Sequence, residues 1–248
     1  MDYDSLLGLV QQRRSIRRFK TEPLPDEYID KIIEVARWAP SGFNMQPWEF
    51  VVVRKPELKA KIAEYCSVYF THLKAMEQTR ESWQGTSWDV GGMTDKESDF
   101  TGAPVYILLY GDPRSQAGLP MGVRYDAHRK DLIYTSGLAH AFVYMHLAAT
   151  TLGLASQWIS AVQTAYAQVM IKGLLGIPPG FEIYDMIALG YPALERAGKF
   201  IRERNDMVHY DDCGEDDFRS DDEVRNFIIQ ARKWNMGQHR RVNKADKK

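Results

Sequence analysis

The chain has 248 residues, 44% hydrophobic and 26% charged, with a formal net charge of -1 at pH 7. That length can bury a sizeable core, and so small a net charge excludes a whole-chain field for nucleic acid or an anionic membrane. Cys66 and Cys213 are the only cysteines, which excludes a disulfide framework or a CxxC zinc site and fits a reducing cytoplasmic setting.

The opening "MDYDSLLGLVQQRRS" is acidic first and basic later, the reverse of a secretory signal. Residues 3–14 predict a short helix. "LPDEYIDKIIEVARWA" predicts another, with Pro25, Asp26 and Glu27 at its start and Ile29, Ile32, Ile33 and Ala36 at helical spacing. "APSGFNMQPWEFVVV" then packs Pro40, Ser41, Gly42, Asn44, Gln46 and Pro47 into one short connection before a β-branched strand over 48–54. Residues 56–66 and 68–82 predict two helices.

"SWQGTSWDVGGMTDKESDF" breaks periodicity, and its tryptophans Trp83 and Trp88 favour a lid, set within 67–100, over plain disorder. "APVYILLYG" (103–111) predicts a buried strand, and "GDPRSQAGLPMG" a loop. Residues 132–171 contain no Asp, Glu, Lys or Arg. Ser136, His140, His146, Ser156, Gln157 and Gln163 interrupt the stretch, so it predicts a buried helix over 128–152 and a strand at 154–160, not a membrane span. A helix stopping near Gly176 follows, then a strand at 184–192. Residues 211–248 predict an acidic loop, a helix capped by Ser220 and Glu223, and a basic fraying end. Strands alternating with helices imply a helix-covered sheet.

No phosphate-loop, dinucleotide, zinc-protease or nucleophile-elbow motif occurs, and the six histidines suggest no metal triad. The pattern that carries chemistry is "RRSIRRF", in which Arg13, Arg14, Arg17 and Arg18 surround Ser15. A solvated basic face is one reading. A site for an anion is the other, because crowded guanidiniums repel and a phosphate accepts paired Arg hydrogen bonds.

"RRSIRRF", "PLPDEYIDKIIEVARWAPSGFNMQPWEFVVV", "LGLASQWIS" and "IALGYP", in that order, resemble the FMN-dependent nitroreductase family over residues 10–60 and 100–205. The resemblance implies an α+β fold with a central mixed β-sheet flanked by helices, in an intertwined homodimer with FMN at the interface. It implies a nitroreductase-like FMN-binding domain over residues 1–210, with 211–248 as a C-terminal extension.

The resemblance also assigns site residues. Arg13, Arg14 and Ser15 match the opening flavin-binding triplet, and Arg17 a cation near the flavin pyrimidine end. Pro40, Ser41, Gly42 and Asn44 match a loop that reaches the flavin held mainly by the other subunit. Turn chemistry after a helix stop is the plainer reading of that loop. Trp158, Ile159, Ser160 and Ala161 match the segment along the dimethylbenzene and N5 edges, with Ser160 where classic bacterial relatives carry a glutamate. Arg202, then Arg204, and after them Lys199, are candidates for the phosphate.

The implied function is ping-pong hydride transfer from NADH or NADPH through flavin N5 to a small acceptor such as a nitroaromatic, quinone or activated alkene. Tyr69, Phe70, Trp83 and Trp88 are candidates for the substrate-side wall. No side chain is expected to act as nucleophile or general base, and no metal, nucleic acid or membrane partner is expected. Alternatives are a flavin-fragmenting or dehalogenating branch of the same fold, and a flavin-binding protein without turnover.

Overall fold

The structure is a computed structural model of the chain and describes residues 2–79, 100–194 and 198–245. The described residues fall into two compact units divided after His72 and again before residue 197.

The larger unit is built on a four-stranded sheet of β1 (Trp48–Val53), β2 (Val105–Gly111), β3 (Ala155–Ile159) and β4 (Glu182–Gly190) in the order β1-β2-β4-β3. Neighbouring strands pair antiparallel, and among the described residues a parallel element enters only as an isolated bridge between Ser15 and Ser156. β2 is central and apolar throughout because both of its faces are covered. Tyr106 and Leu108 face one core, with Ile62 and Cys66 of α3 (Pro56–Gln78) and Ala167 and Ile171 of α6 (Ala165–Leu175). Val105, Ile107 and Leu109 face the other core. There they meet Ile29, Ile32 and Ala36 of α2 (Asp26–Ala36) and Leu138, Phe142 and Met145 of α5 (Ala127–Thr151). The result is a three-layer helix–sheet–helix arrangement in which α5, free of charged residues from Leu132 onward, forms part of one layer.

Local chemistry explains where the elements start and stop. Asp126 caps α5 by accepting from the Arg129 N–H at 3.0 Å. Gly176 ends α6 in the left-handed region at φ 69°. α3 is one helix where the sequence predicts two: the hydroxyls of Ser67 and Thr71 donate to the Glu64 and Ser67 carbonyls, so these polar residues do not break it. The predicted loop at 111–122 carries a 3-10 helix, Pro113–Gly118, and runs into a short helix α4 (Met121–Arg124).

The N-terminal helix α1 (Tyr3–Gln12) lies against α5 but buries none of its residues. Tyr3, Leu6, Leu7 and Val10 are exposed and share one helical face. Among the described residues no helix is long and apolar enough to cross a membrane.

In the smaller unit, α7 (Asp221–Ala245) starts at the predicted capping box: the Glu223 carboxylate accepts from the Ser220 N–H at 2.8 Å, and Ser220 Oγ accepts from the Glu223 N–H at 3.4 Å. Phe200 packs on Phe227 and Trp234 of this helix at ring separations of 5.4 and 6.2 Å.

Candidate functional site

The segment after α1 runs extended along the end of the sheet. Ser15 bridges Ser156 of β3, and the Ile16 N–H donates to the Ser156 carbonyl at 3.2 Å. Further on, the Lys20 N–H donates to the Tyr191 carbonyl at 2.9 Å, and Phe19 bridges Pro192. Gly190 permits this approach: a methyl there would meet Pro104 Cδ at 2.7 Å and Phe19 Cδ1 at 3.0 Å. Two motifs far apart in sequence, "RRSIRRF" and "SQWISA", therefore lie side by side.

Arg13, Arg14 and Arg17 are partly buried and Ser15 is exposed. Burial holds the Arg13 and Arg17 guanidiniums below their ordinary pKa. Arg14 is lowered by burial and then by the charge of Arg13. Among the described residues neither Arg13 nor Arg17 has a carboxylate partner. Desolvated, uncompensated cations on one short extended segment are the electrostatic counterpart of an anion.

Behind Arg13 sits a polar pair that the sequence reading used only against a membrane span. His146 of α5 is buried, and its Nδ1 lies 2.8 Å from Ser156 Oγ. Burial, and then the nearby Arg13 charge, push the His146 pKa down to about 3, so the ring is neutral near pH 7. A neutral imidazole on a β3 serine fixes the strand that carries the Ser15 bridge.

Trp158 lies two residues along β3 from Ser156, so both side chains face α5. The residue is 56% exposed, and its indole meets Phe142 edge-on at 5.8 Å. Ile159 and Ala161 are buried core residues, so only their backbone can meet a ligand, whereas Ser160 is exposed. Gln163 and the buried Asp185 of β4 stand behind this segment, with Gln163 Nε2 donating to Asp185 Oδ1 at 3.1 Å. A lone acid inside the apolar strand "YDMIALGYP" was the available signal for Asp185.

The loop after α2 is wound tightly. Phe43, Asn44 and Gln46 have positive φ of 55°, 53° and 46°, unfavourable for residues with a Cβ. Ser41 Oγ accepts from the Gln46 N–H at 3.0 Å, and Asn44 Oδ1 from Gln46 Nε2 at 3.1 Å. The loop docks on α5: His140 Nδ1 lies 3.0 Å from the Pro40 carbonyl, and a methyl on Gly42 would come within 2.3 Å of Ile133 Cγ2. Phe43 at its tip is exposed. Such strain persists where surroundings over-determine it, commonly at a binding site.

Arg202 and Arg204 belong to the smaller unit. Arg202 donates to the Asp206 carbonyl, and Arg204 to the Tyr210 hydroxyl at 2.7 Å. The 67–100 segment is described only up to Thr79 and at Phe100; Tyr69 and Phe70 pack on the α3 core, and Trp83 and Trp88 lie outside the described residues. Among the described residues no cluster of His, Cys, Asp or Glu could hold a metal ion.

A model of the nitroreductase family matches residues 10–191, from the arginine segment to the end of β4. The chain belongs to the nitroreductase family. It is 27% identical over 207 residues to an NADH dehydrogenase of Thermus thermophilus, covering 74% of this chain and 85% of that protein. It is 30% identical over 191 residues to an iodotyrosine deiodinase of Hydra vulgaris, covering 74% of this chain but only 64% of that protein, under two thirds of its length. Among solved structures, an FMN-dependent nitroreductase from Clostridium difficile R20291 superposes with a TM-score of 0.58 at 23% identity, over 84% of this chain and 99% of that one. The α+β fold of this nitroreductase-family chain thus agrees with the expectation from sequence.

Proposed function

We propose that the chain is an FMN-dependent oxidoreductase that takes electrons from NADH or NADPH and delivers them to a small acceptor such as a nitroaromatic, quinone or activated alkene, working as a homodimer. The observation that carries this reading is the parallel bridge between Ser15 and Ser156, which sets Arg13 and Arg17 beside the β3 end where Trp158 and Ser160 are exposed. These residues fit FMN, an anion joined to a flat ring. When bound, FMN supplies reversible hydride chemistry at its ring.

The chain's own residues would bind and orient it. Arg13 and Arg14 neutralise negative charge, and the Ser15 hydroxyl donates a hydrogen bond. Arg17 places a cation near the pyrimidine end, which favours added electron density there. The backbone of Ser160 and Ala161 offers N–H groups to the ring edge in place of a side chain. Arg202 and Arg204 are further candidates for the phosphate. Pro40, Ser41, Gly42 and Asn44 serve the flavin of the partner subunit, with Gly42 allowing close backbone approach. The exposed apolar face of α1 and the exposed Phe43 support the dimer, since an amphipathic helix normally covers that face.

The test is anaerobic rapid mixing of the FMN-loaded protein with NADH and, separately, NADPH. Loss of the visible flavin band within seconds with either donor is expected. No loss with either would overturn the oxidoreductase reading. The deiodinase relatives favour one second reading, reductive dehalogenation of a halophenol. Halide release from iodotyrosine by dithionite-reduced protein would support it, and none would exclude it.

A further inference from the structure

Asp185 has no exposed surface, yet it sits in the apolar run of β4. The strand is irregular there. Asp185 pairs with Leu109, but the next rung joins Ile183 to Tyr110, leaving Tyr184 as the extra residue. A bulge of this kind re-aims the side chains on either side of it. Asp185 Oδ1 accepts from Gln163 Nε2 at 3.1 Å, and that same nitrogen donates to the Tyr184 carbonyl at 2.6 Å. The Trp158 indole lies close enough to favour the carboxylate form, though Oδ2 has no hydrogen bond of good geometry among the described residues. Burial outweighs both donors and lifts the Asp185 pKa to about 7.

An apolar residue would suit this core position better, because a half-satisfied buried carboxylate opposes folding. The contacts of the acid are specific. Trp158 and Gln163 are the two ends of one short segment, the end of β3 and the 3-10 helix Ser160–Gln163. Between them Ile159, Ala161 and Val162 are held by the core, and Ser160 faces outward.

We propose that Asp185 is a positioning residue of the Trp158–Gln163 segment, holding its Gln163 end against β4 so that the backbone before it meets the flavin ring edge in one orientation. The proposal rests on the FMN reading above. Asp185 does not touch the ring; it acts through the Gln163 amide. Loss of the carboxylate leaves the Gln163 amide held only by the Tyr184 carbonyl, by one contact in place of two.

The test titrates apo-protein with FMN, following flavin fluorescence and the visible circular dichroism of the bound flavin. Asp185→Ala is expected to bind FMN about tenfold more weakly and to change the visible dichroism, while its far-ultraviolet dichroism stays that of the wild type. Asp185→Asn keeps an oxygen for Gln163 and is expected to bind near the wild-type value. Asp185→Ala combined with Gln163→Ala should be no weaker than the weaker single variant, because both act by one route. Gln163→Ala, altered at an exposed residue, gives the same readout if Asp185→Ala does not fold; it should weaken FMN and shift the dichroism in the same sense. Wild-type affinity and unchanged dichroism in Asp185→Ala, or in Gln163→Ala where it stands alone, would overturn the proposal. So would equal impairment of the Ala and Asn variants. A wild-type protein that binds no FMN would instead overturn the cofactor reading itself.

Discussion

At the scale of residues, the arginines and the buried polar pair make opposite demands on stability and binding. Arg13 is desolvated without a carboxylate partner among the described residues, so it opposes folding of the empty protein and favours an anionic ligand. Arg13→Ala is expected to weaken FMN by about 10-fold to 100-fold, the scale of a lost charged hydrogen bond, and to leave the melting temperature of the empty protein equal or higher. Arg129→Ala, at an exposed residue in the first turn of α5, should leave FMN affinity unchanged. Fluorescence titration and thermal melts check both. His146 has a folded pKa of about 3 against roughly 6.5 unfolded, so the unfolded chain binds the proton first and stability falls as pH drops between those values. Asp185, at about 7 against roughly 3.9 unfolded, has the opposite sign: its contribution is full below the unfolded value and is lost as pH rises through the folded one. Measured by urea unfolding from pH 4 to 7, His146→Gln should gain on the wild type toward low pH. Asp185→Asn should gain on it toward high pH. Each difference should approach ~1.4 kcal/mol per pH unit. Parallel curves for all three proteins would contradict the pKa assignments. The arginines were legible in the sequence because four cations around a serine are conspicuous. His146 and Asp185 were not, because their meaning lies in cross-element contacts with Ser156 and Gln163 that no local pattern encodes.

At the scale of elements, helix and strand identities were legible wherever periodicity was strong, as in α2, β2 and α5. The misreading of α3 as two helices came from polar residues whose hydroxyls bond back into the helix. The loop after α2 was conspicuous in composition, but its strained φ values at Phe43, Asn44 and Gln46 could not be read from residue types that normally avoid that region. The tight fit of Gly42 on Ile133 makes Gly42→Ala an expected loss of about 1–3 kcal/mol in unfolding free energy, the usual cost of overpacking. Gln46→Gly should instead be neutral or stabilising by up to about 1 kcal/mol, since glycine takes positive φ without penalty. Urea unfolding measures both, and a stabilised Gly42→Ala would contradict the packing described for the loop.

At the scale of the whole molecule, the proposed homodimer turns on one uncovered face. α1 shows Tyr3, Leu6, Leu7 and Val10 to solvent, and the family match begins at residue 10, next to the arginine segment. Replacing Leu6 and Val10 together by Ser is expected to shift the protein from dimer toward monomer in light scattering, with FMN affinity falling in parallel. A wild-type monomer that binds FMN tightly would contradict the shared site. The measurement that bears most directly on the cationic cradle is a calorimetric comparison of FMN with riboflavin on the empty wild-type protein. FMN should bind more tightly by about 100-fold or more, because only its phosphate can draw on charged hydrogen bonds from the chain's arginines. Equal affinities, or no binding of either, would contradict the account.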